Sequence, residues 1–282
     1  LNDTRIVATN TPSIGEGEIL LKVDKFAFTA NNLTYGVMGD QLGYWQFFPA
    51  EDNVPPQDNV SPEENADGKW GIIPVWGFAD VVESNVDKVP VGERLFGYFP
   101  PADSVKMIPK GVSELLLVDG AAHRAKLPPG YNMYRRVNAE PGYSNELDNE
   151  RMLLFPLHIT SFCIWDSMRD KDWYGAQQIV VISASSKTSV GLGYALKADE
   201  NAPKTIGITS ARNLELVGKL DIYDSTIQYD DLDSIEADLP TIIVDMSGNA
   251  VLLAKIHKHL ADNMKHCINV GLTHWDESRS EE

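Results

Sequence analysis

The stretch from Gln178 to Gly271 constrains this chain most, because it alternates between two periodicities. Gln178-Ile-Val-Val-Ile182 is a short apolar, β-branched run, the composition of a strand buried on both faces. Small residues follow, Ser183-Ala-Ser-Ser-Lys-Thr-Ser-Val-Gly191, and then a helical segment from Leu192 to Ala198. Thr205 to Thr209 predicts a second strand and Leu214 to Leu220 a second helix. Thr241-Ile-Ile-Val-Asp245 predicts a third strand, ending at Ser247-Gly248. Asn249 is placed to cap the next helix, in which Leu252, Leu253, Ile256 and Leu260 share a face. His266 to Gly271 predicts a last strand. Strands alternating with helices in this way form a parallel, doubly wound sheet, which binds ligands at the carboxyl ends of its strands.

The N-terminal half has a different grammar. Ile19, Leu21 and Val23 alternate with Leu20, Lys22 and Asp24, the pattern of a half-buried strand. Trp76 to Val86, Arg94 to Tyr98 and Glu114 to Val118 are further strands. Turn residues separate them, at Val89-Pro90-Val91-Gly92, Pro100-Pro101, Pro109-Lys110-Gly111 and Pro128-Pro129-Gly130. Short strands so closely spaced predict an antiparallel, barrel-like domain. Residues 49–69, rich in Pro, Asp, Asn and Glu, predict a polar surface loop. The expected division is therefore a barrel domain over residues 1–150 and a doubly wound domain over 151–282.

Composition narrows the class. Hydrophobic residues make up 43% and charged residues 23%, the balance of a globular protein rather than a disordered one. The apolar runs are strand-sized, so no membrane span is expected, and no signal peptide opens the sequence. The sequence begins at Leu1 without an initiator Met, so a start further upstream is expected. Two cysteines, Cys163 and Cys267, are too few for a disulfide framework or a cysteine-rich zinc site. Both read as small core residues, and a reducing, cytoplasmic setting is expected. A formal net charge of −17 repels nucleic acid and anionic membranes. An anionic ligand would then need local cations, acting within a Debye length of about 8 Å.

The small-residue loop supplies such a place. Where a strand turns into a helix, free backbone N–H groups and the helix dipole favour phosphate, and small side chains let it approach. Ser185, Ser186, Thr188 and Ser189 add hydroxyls, Lys187 adds a cation, and Val190 and Gly191 complete the turn. Only Gly191 and Gly193 remain of a glycine-rich fingerprint, and an ordinary strand-to-helix turn would also tolerate these residues. The second strand ends Thr209-Ser210-Ala211-Arg212, without the acid that accepts hydrogen bonds from the ribose 2′-hydroxyl of NAD. A 2′-phosphate suits Ser210 and Arg212, with Lys219 as a second cation, so NADP(H) is the expected cofactor. Ser247 and Gly271 stand at strand ends of the same sheet.

The two halves together resemble the medium-chain dehydrogenase/reductase superfamily, on its zinc-free quinone-reductase and enoyl-reductase side. The matching stretches are Glu18-Ile-Leu-Leu-Lys-Val-Asp-Lys-Phe26 into Thr29-Ala-Asn-Asn-Leu33, Val75-Trp-Gly-Phe-Ala-Asp-Val-Val-Glu83 and Val91-Gly-Glu-Arg-Leu-Phe-Gly97. Leu157-His-Ile-Thr-Ser-Phe162 and the segment from Ile179 continue the match. The resemblance implies a GroES-like barrel and a Rossmann domain, with hydride passing from a nicotinamide to a small-molecule acceptor such as a quinone, enone or enoyl compound. It also makes a homodimer an expectation, since dimers are common in the family. Zinc-bearing members carry Gly-His-Glu and a cysteine where this sequence has Trp76-Gly77-Phe78 and Asn31-Asn32, so no metal is expected. The family's Ala-x-x-Gly-x-x-Gly becomes Ser185 to Gly191 with Thr188 in place of a glycine. The family also continues beyond Asn269-Val-Gly-Leu-Thr273 into a return to the barrel, which the remaining residues to Glu282 are too few to supply.

By the same resemblance, Tyr35 and Asn32 follow the first matching stretch and face the nicotinamide, Tyr35 as proton donor and Asn32 as a polarising donor. A packed barrel tyrosine would fit position 35 equally. His158 reads as a packing or capping residue and Tyr143 lies in a polar loop. His266 and His274 lack a third ligand nearby. A non-catalytic NADP(H)-binding protein on the same fold is the competing expectation.

Overall fold

A computed structural model describes residues 4–50 and 70–271. Most of the polar loop expected at residues 49–69, and the tail from Leu272 with His274, lie outside the described residues. The chain divides into two compact units, Leu1–Leu153 and Leu154–Glu282.

The first unit is an antiparallel sheet of seven strands. They are β1 (Ile19–Ala27), β2 (Val75–Ser84), β3 (Arg94–Phe99), β4 (Ser104–Met107), β5 (Pro109–Val112), β6 (Leu116–Asp119) and β7 (Met133–Arg136). Their order is β4-β1-β2-β3-β7-β6-β5. The two outermost strands, β4 and β5, are consecutive in sequence with Ile108 alone between them. A sheet whose opposite edges are joined by a single residue must curl on itself, and the result is the expected barrel. Ile19, Leu21, Ala79, Val81, Leu95, Phe99, Met107, Leu117 and Tyr134 fill it.

Two details of this unit depart from the sequence reading. Leu20, expected to face outward, is buried together with Ile19 and Leu21. The register between β1 and β2 shifts between Leu20 and Leu21, and such a bulge breaks strict alternation. Pro109-Lys110-Gly111, expected as a turn, opens β5, where proline is tolerated as a first strand residue. Helix α1 (Ala30–Val37) follows β1 and is fixed by a capping box in which Thr29 and Asn32 bond reciprocally.

The second unit carries β8 (Gln178–Ile182), β9 (Lys204–Thr209), β10 (Ser225–Gln228), β11 (Thr241–Asp245) and β12 (Met264–Asn269). All neighbouring pairs are parallel, in the order β10-β9-β8-β11-β12. Helix α2 (Asp148–Asp170) leads into it, and α3 (Lys187–Ala198), α4 (Ala211–Leu220) and α5 (Ala250–Leu260) alternate with the strands. β8 is buried throughout because both faces of the sheet are covered. Ile179 and Val181 pack with Leu192, Leu196 and Val217 on one side. Val180 and Ile182 pack with Ile256 and Leu260 on the other.

α3 begins at Lys187, five residues before the expected start, because the Ser186 hydroxyl caps it by accepting from Ser189 N at 3.2 Å. Cys163, expected in the core, is exposed on α2, and Cys267 is half-buried. A helix has a solvent side whatever the polarity of its residues, and Cys163 stands there beside the exposed Ile159 and Phe162. Between α2 and β8 the backbone turns left-handed at four successive residues, Asp172, Trp173, Tyr174 and Gly175, with φ of 48°, 52°, 52° and 68°. Burial of Trp173 and stacking of Tyr174 on His266, ring centres 4.1 Å apart, hold this turn.

Candidate functional site

The strand order of the second unit reverses at β8. From β8 the chain winds through β9 and β10 to one edge, then returns to β11 and β12 on the other side. A crevice forms at such a switch point because the connections after the two central strands leave in opposite directions. Residues 183–187, Ser210 and residues 246–249 follow the carboxyl ends of β8, β9 and β11 there.

Ser183 enters the loop with φ of 64°, a conformation that few side chains other than glycine adopt readily. Tyr229 hydrogen-bonds Ser183, and burial raises the phenol pKa above its ordinary value. Ala184 N donates to Ile208 O at 2.8 Å, tying the loop to β9. Ser185 Oγ accepts from Thr209 Oγ1 at 3.2 Å and from Asn213 Nδ2 at 2.9 Å. Ser186 Oγ also donates to Ser189 Oγ at 2.8 Å, and Ser189 is fully buried. Tyr223, whose phenol pKa burial raises, donates to Ser189 O at 2.8 Å. Ser186 and Ser189 are thus committed to the loop's own structure. The Lys187 side chain projects into solvent, and the N–H groups of Lys187 and Thr188, in the first turn of α3, have no acceptor within the helix.

Gly191 serves packing. A β-carbon there would stand 2.8 Å from Ser161 Oγ, which itself donates to Thr188 O at 2.8 Å. Val190 packs against the helix-side core of the sheet. At the far end of β9, Ser210 is the N-cap of α4 without using its side chain as a cap. Arg212, in the first turn of α4, is exposed and makes no ion pair among the described residues. Lys219 does not join them. It lies in the last turn of α4, roughly 10 Å along the helix axis from Arg212, and pairs with Glu215 at 2.6 Å. Lys219 thus stands one end of α4 away from Arg212 and is engaged with Glu215.

On the β11 side, Asp245 Oδ1 accepts from Ser247 N, Ser247 Oγ and Gly248 N at 2.8, 2.7 and 3.3 Å. Ser247 Oγ in turn accepts from Asn249 N, and Asn249 caps α5 through Leu252 N. Asp245 is therefore a scaffold for this turn. Gly271 donates to Asp245 O, and a β-carbon at 271 would collide with the Met246 carbonyl. Asn213, Thr209 and Tyr229 belong to this site and were not singled out in the sequence. The only available signal was their position just beyond, at the end of, or one strand away from β9.

Asn32 and Tyr35 lie in the first unit, both buried. Asn32 accepts from Thr29 N at 2.6 Å and donates to Pro74 O at 2.8 Å, so its amide is engaged at both ends. Tyr35 Oη accepts from Trp76 Nε1 at 3.2 Å, and burial raises its pKa. Its ring packs among Tyr44, Tyr98 and Tyr131. Tyr143 joins the ion-pair network of Arg94 and Asp148. His158 is exposed. Among the described residues no three His, Cys, Asp or Glu are grouped to hold a metal, and no helix is long and apolar enough to cross a membrane.

Solved structures share this architecture. CurA from Vibrio vulnificus aligns with a TM-score of 0.57 at 14% identity, covering 98% of this chain and 68% of that one. CurA from the same organism in complex with NADPH gives 0.57 at 13%, covering 98% and 69%. The D-arabinose dehydrogenase from Sulfolobus solfataricus gives 0.51 at 16%, covering 93% and 77%. The barrel and the doubly wound sheet are thus a fold that this chain shares with these solved structures. No curated protein matches the sequence. Residues 26–282 match the family described as "Protein of unknown function (DUF2855)", and the chain belongs to that family.

Proposed function

We propose that this chain is an NADP(H)-dependent oxidoreductase that works without a catalytic metal and reduces a quinone, enone or enoyl-type acceptor. The observation that carries the reading is the end of β9. It offers a hydroxyl, Ser210, and an exposed guanidinium without an ion partner among the described residues, Arg212, with no acid at 209–212. That chemistry suits a 2′-phosphate and lacks the carboxylate that accepts from a 2′-hydroxyl. The fold shared with CurA, whose structure from Vibrio vulnificus was solved with NADPH, supports the same reading.

The residues present fit the cofactor. Ser183, Ala184, Ser185 and Ser186 leave the backbone approachable, and the first-turn N–H groups of α3 with Lys187 suit the pyrophosphate. Ser247 and Gly248 keep the end of β11 small. When bound, a reduced nicotinamide supplies hydride to an electron-poor carbon. Tyr35 is assigned the proton: its oxygen is occupied by Trp76, which leaves its own hydrogen free to donate. Its raised pKa keeps it protonated at neutral pH. The absence of zinc is proposed from the residues at the ligand positions, Asn32 held in its capping box and Phe78 buried against Phe96. The net charge of −17 argues against nucleic acid as a partner, and a homodimer is proposed from the resemblance alone.

A second reading, NADP(H) binding without catalysis, is favoured by the engagement of Asn32 at both ends of its amide. One experiment separates the two. The purified chain is titrated with NADPH and NADH, then NADPH oxidation is followed across quinones, enones and enoyl thioesters. Preferential NADPH binding with turnover supports the reductase. Binding without turnover on any acceptor supports the second reading, and binding of neither nucleotide overturns both.

A further inference from the structure

We infer that Ser185 is a determinant of cofactor specificity, because its hydroxyl is locked as a hydrogen-bond donor toward the ribose 2′ position. The inference rests on the NADP(H) reading above. A serine hydroxyl has one hydrogen and two lone pairs. At Ser185 both lone pairs are filled, one by Thr209 Oγ1 at 3.2 Å and one by the Asn213 amide at 2.9 Å. The hydrogen is the only direction left to it. Such a group can donate to an acceptor-only oxygen and cannot accept from another hydroxyl.

Its position gives that polarity a meaning. Thr209 and Asn213 bracket Ser210 and Arg212 in the turn from β9 into α4. The Ser185 oxygen is bonded to both ends of this turn, so it sits at the mouth of the segment assigned to the 2′-phosphate. Phosphate oxygens accept only. A ribose 2′-hydroxyl facing the same hydrogen would have to turn its own away, with no acid at 209–212 to take it. Asn213 and Thr209 act as positioning residues, because they set which way Ser185 points its hydrogen. Arg212 then contributes charge and Ser185 contributes direction.

The test uses the full chain with adenosine 2′,5′-bisphosphate and 5′-AMP as probes, which isolate this end of the cofactor. Dissociation constants are measured for the wild type, Ser185→Ala and Ser185→Thr, with melting temperature as a check on folding. A lost hydrogen bond to a charged group predicts that Ser185→Ala weakens the bisphosphate about tenfold. 5′-AMP should stay within about twofold, and Ser185→Thr, which keeps the hydroxyl, should restore the preference. A Ser185→Ala protein that keeps the wild-type preference, or that loses both probes equally, overturns the inference while leaving the NADP(H) reading standing. A wild type that does not prefer the bisphosphate overturns that reading and the inference with it.

Discussion

Gly191 and Ser161 face one another across α3 and α2 with no room for a methyl group: a β-carbon on Gly191 would stand 2.8 Å from Ser161 Oγ and 3.3 Å from Ser161 Cβ. Ser161 cannot simply rotate away, since its hydroxyl donates to Leu157 O and Thr188 O. Gly191→Ala should therefore lower unfolding stability by about 1–3 kcal/mol, the usual cost of overpacking. Removing the hydroxyl should recover part of that loss. A urea double-mutant cycle over Gly191→Ala and Ser161→Ala checks it, and simple additivity of the two would contradict the contact.

Arg94 holds the largest ion network among the described residues of the barrel unit. Its guanidinium reaches Asp80, Asp24 and Asp148 at 2.9, 2.7 and 2.8 Å, and the hydrogen bonds it donates to these acids raise its pKa despite burial. The Asp148 side chain is fully buried, with Tyr143 donating to it at 2.9 Å. Arg94→Met should cost about 3–5 kcal/mol, because it strips a buried carboxylate of its main counter-ion. Asp148→Asn in the same background should return a measurable part of the loss in chemical denaturation, as it removes the stranded charge.

Acid should weaken the same unit through Glu140. Burial alone would raise its carboxyl pKa, but hydrogen bonds from Arg151 and Arg135 outweigh burial and hold it below the ordinary value of 4.5. A depressed folded-state pKa contributes stability that is fully present above the unfolded value and is lost as pH falls through the folded one. The stability difference between wild type and Glu140→Gln should be constant near pH 6 and shrink progressively below 4.5. A difference that persists unchanged to pH 3 would show that the carboxylate charge is not the source.

Arg212→Ala should weaken NADPH by roughly 10–100-fold, the scale of a charge-assisted contact, and leave NADH unaffected. The wild-type preference for NADPH should also fall with added salt, as expected of an exposed cation. Fluorescence titration of both nucleotides at two ionic strengths measures both effects, and equal losses for NADH would place Arg212 elsewhere.

Sequence alone was most informative where burial forces a simple pattern. β8 and β11 are covered on both faces, so their uniform β-branched runs could be read as parallel strands, and Asn249 announced α5 because capping is a local reaction of one side chain with the backbone. The short edge strand β10, with no buried residue, left no such mark. The start of α3 was misplaced because small residues look like a loop until Ser186 is seen to cap them. The part of the candidate site at the second-strand ending could be read locally, since Ser210 and Arg212 stand two residues apart. The site's internal wiring could not: Ser185, Thr209 and Asn213 are up to 28 residues apart and meet only because β8 and β9 are neighbours.

Over the four residues from Asp172 to Gly175 the chirality of the amino acids opposes the fold in an unbroken run. Each left-handed L-residue costs roughly 1–2 kcal/mol, and only Gly175 escapes it. A mirror-image building block would find this turn effortless and every helix around it forbidding. Chemical ligation of a chain carrying D-aspartate at position 172 should therefore give a protein more stable than the natural one, an inversion of the rule that stereochemical errors damage proteins.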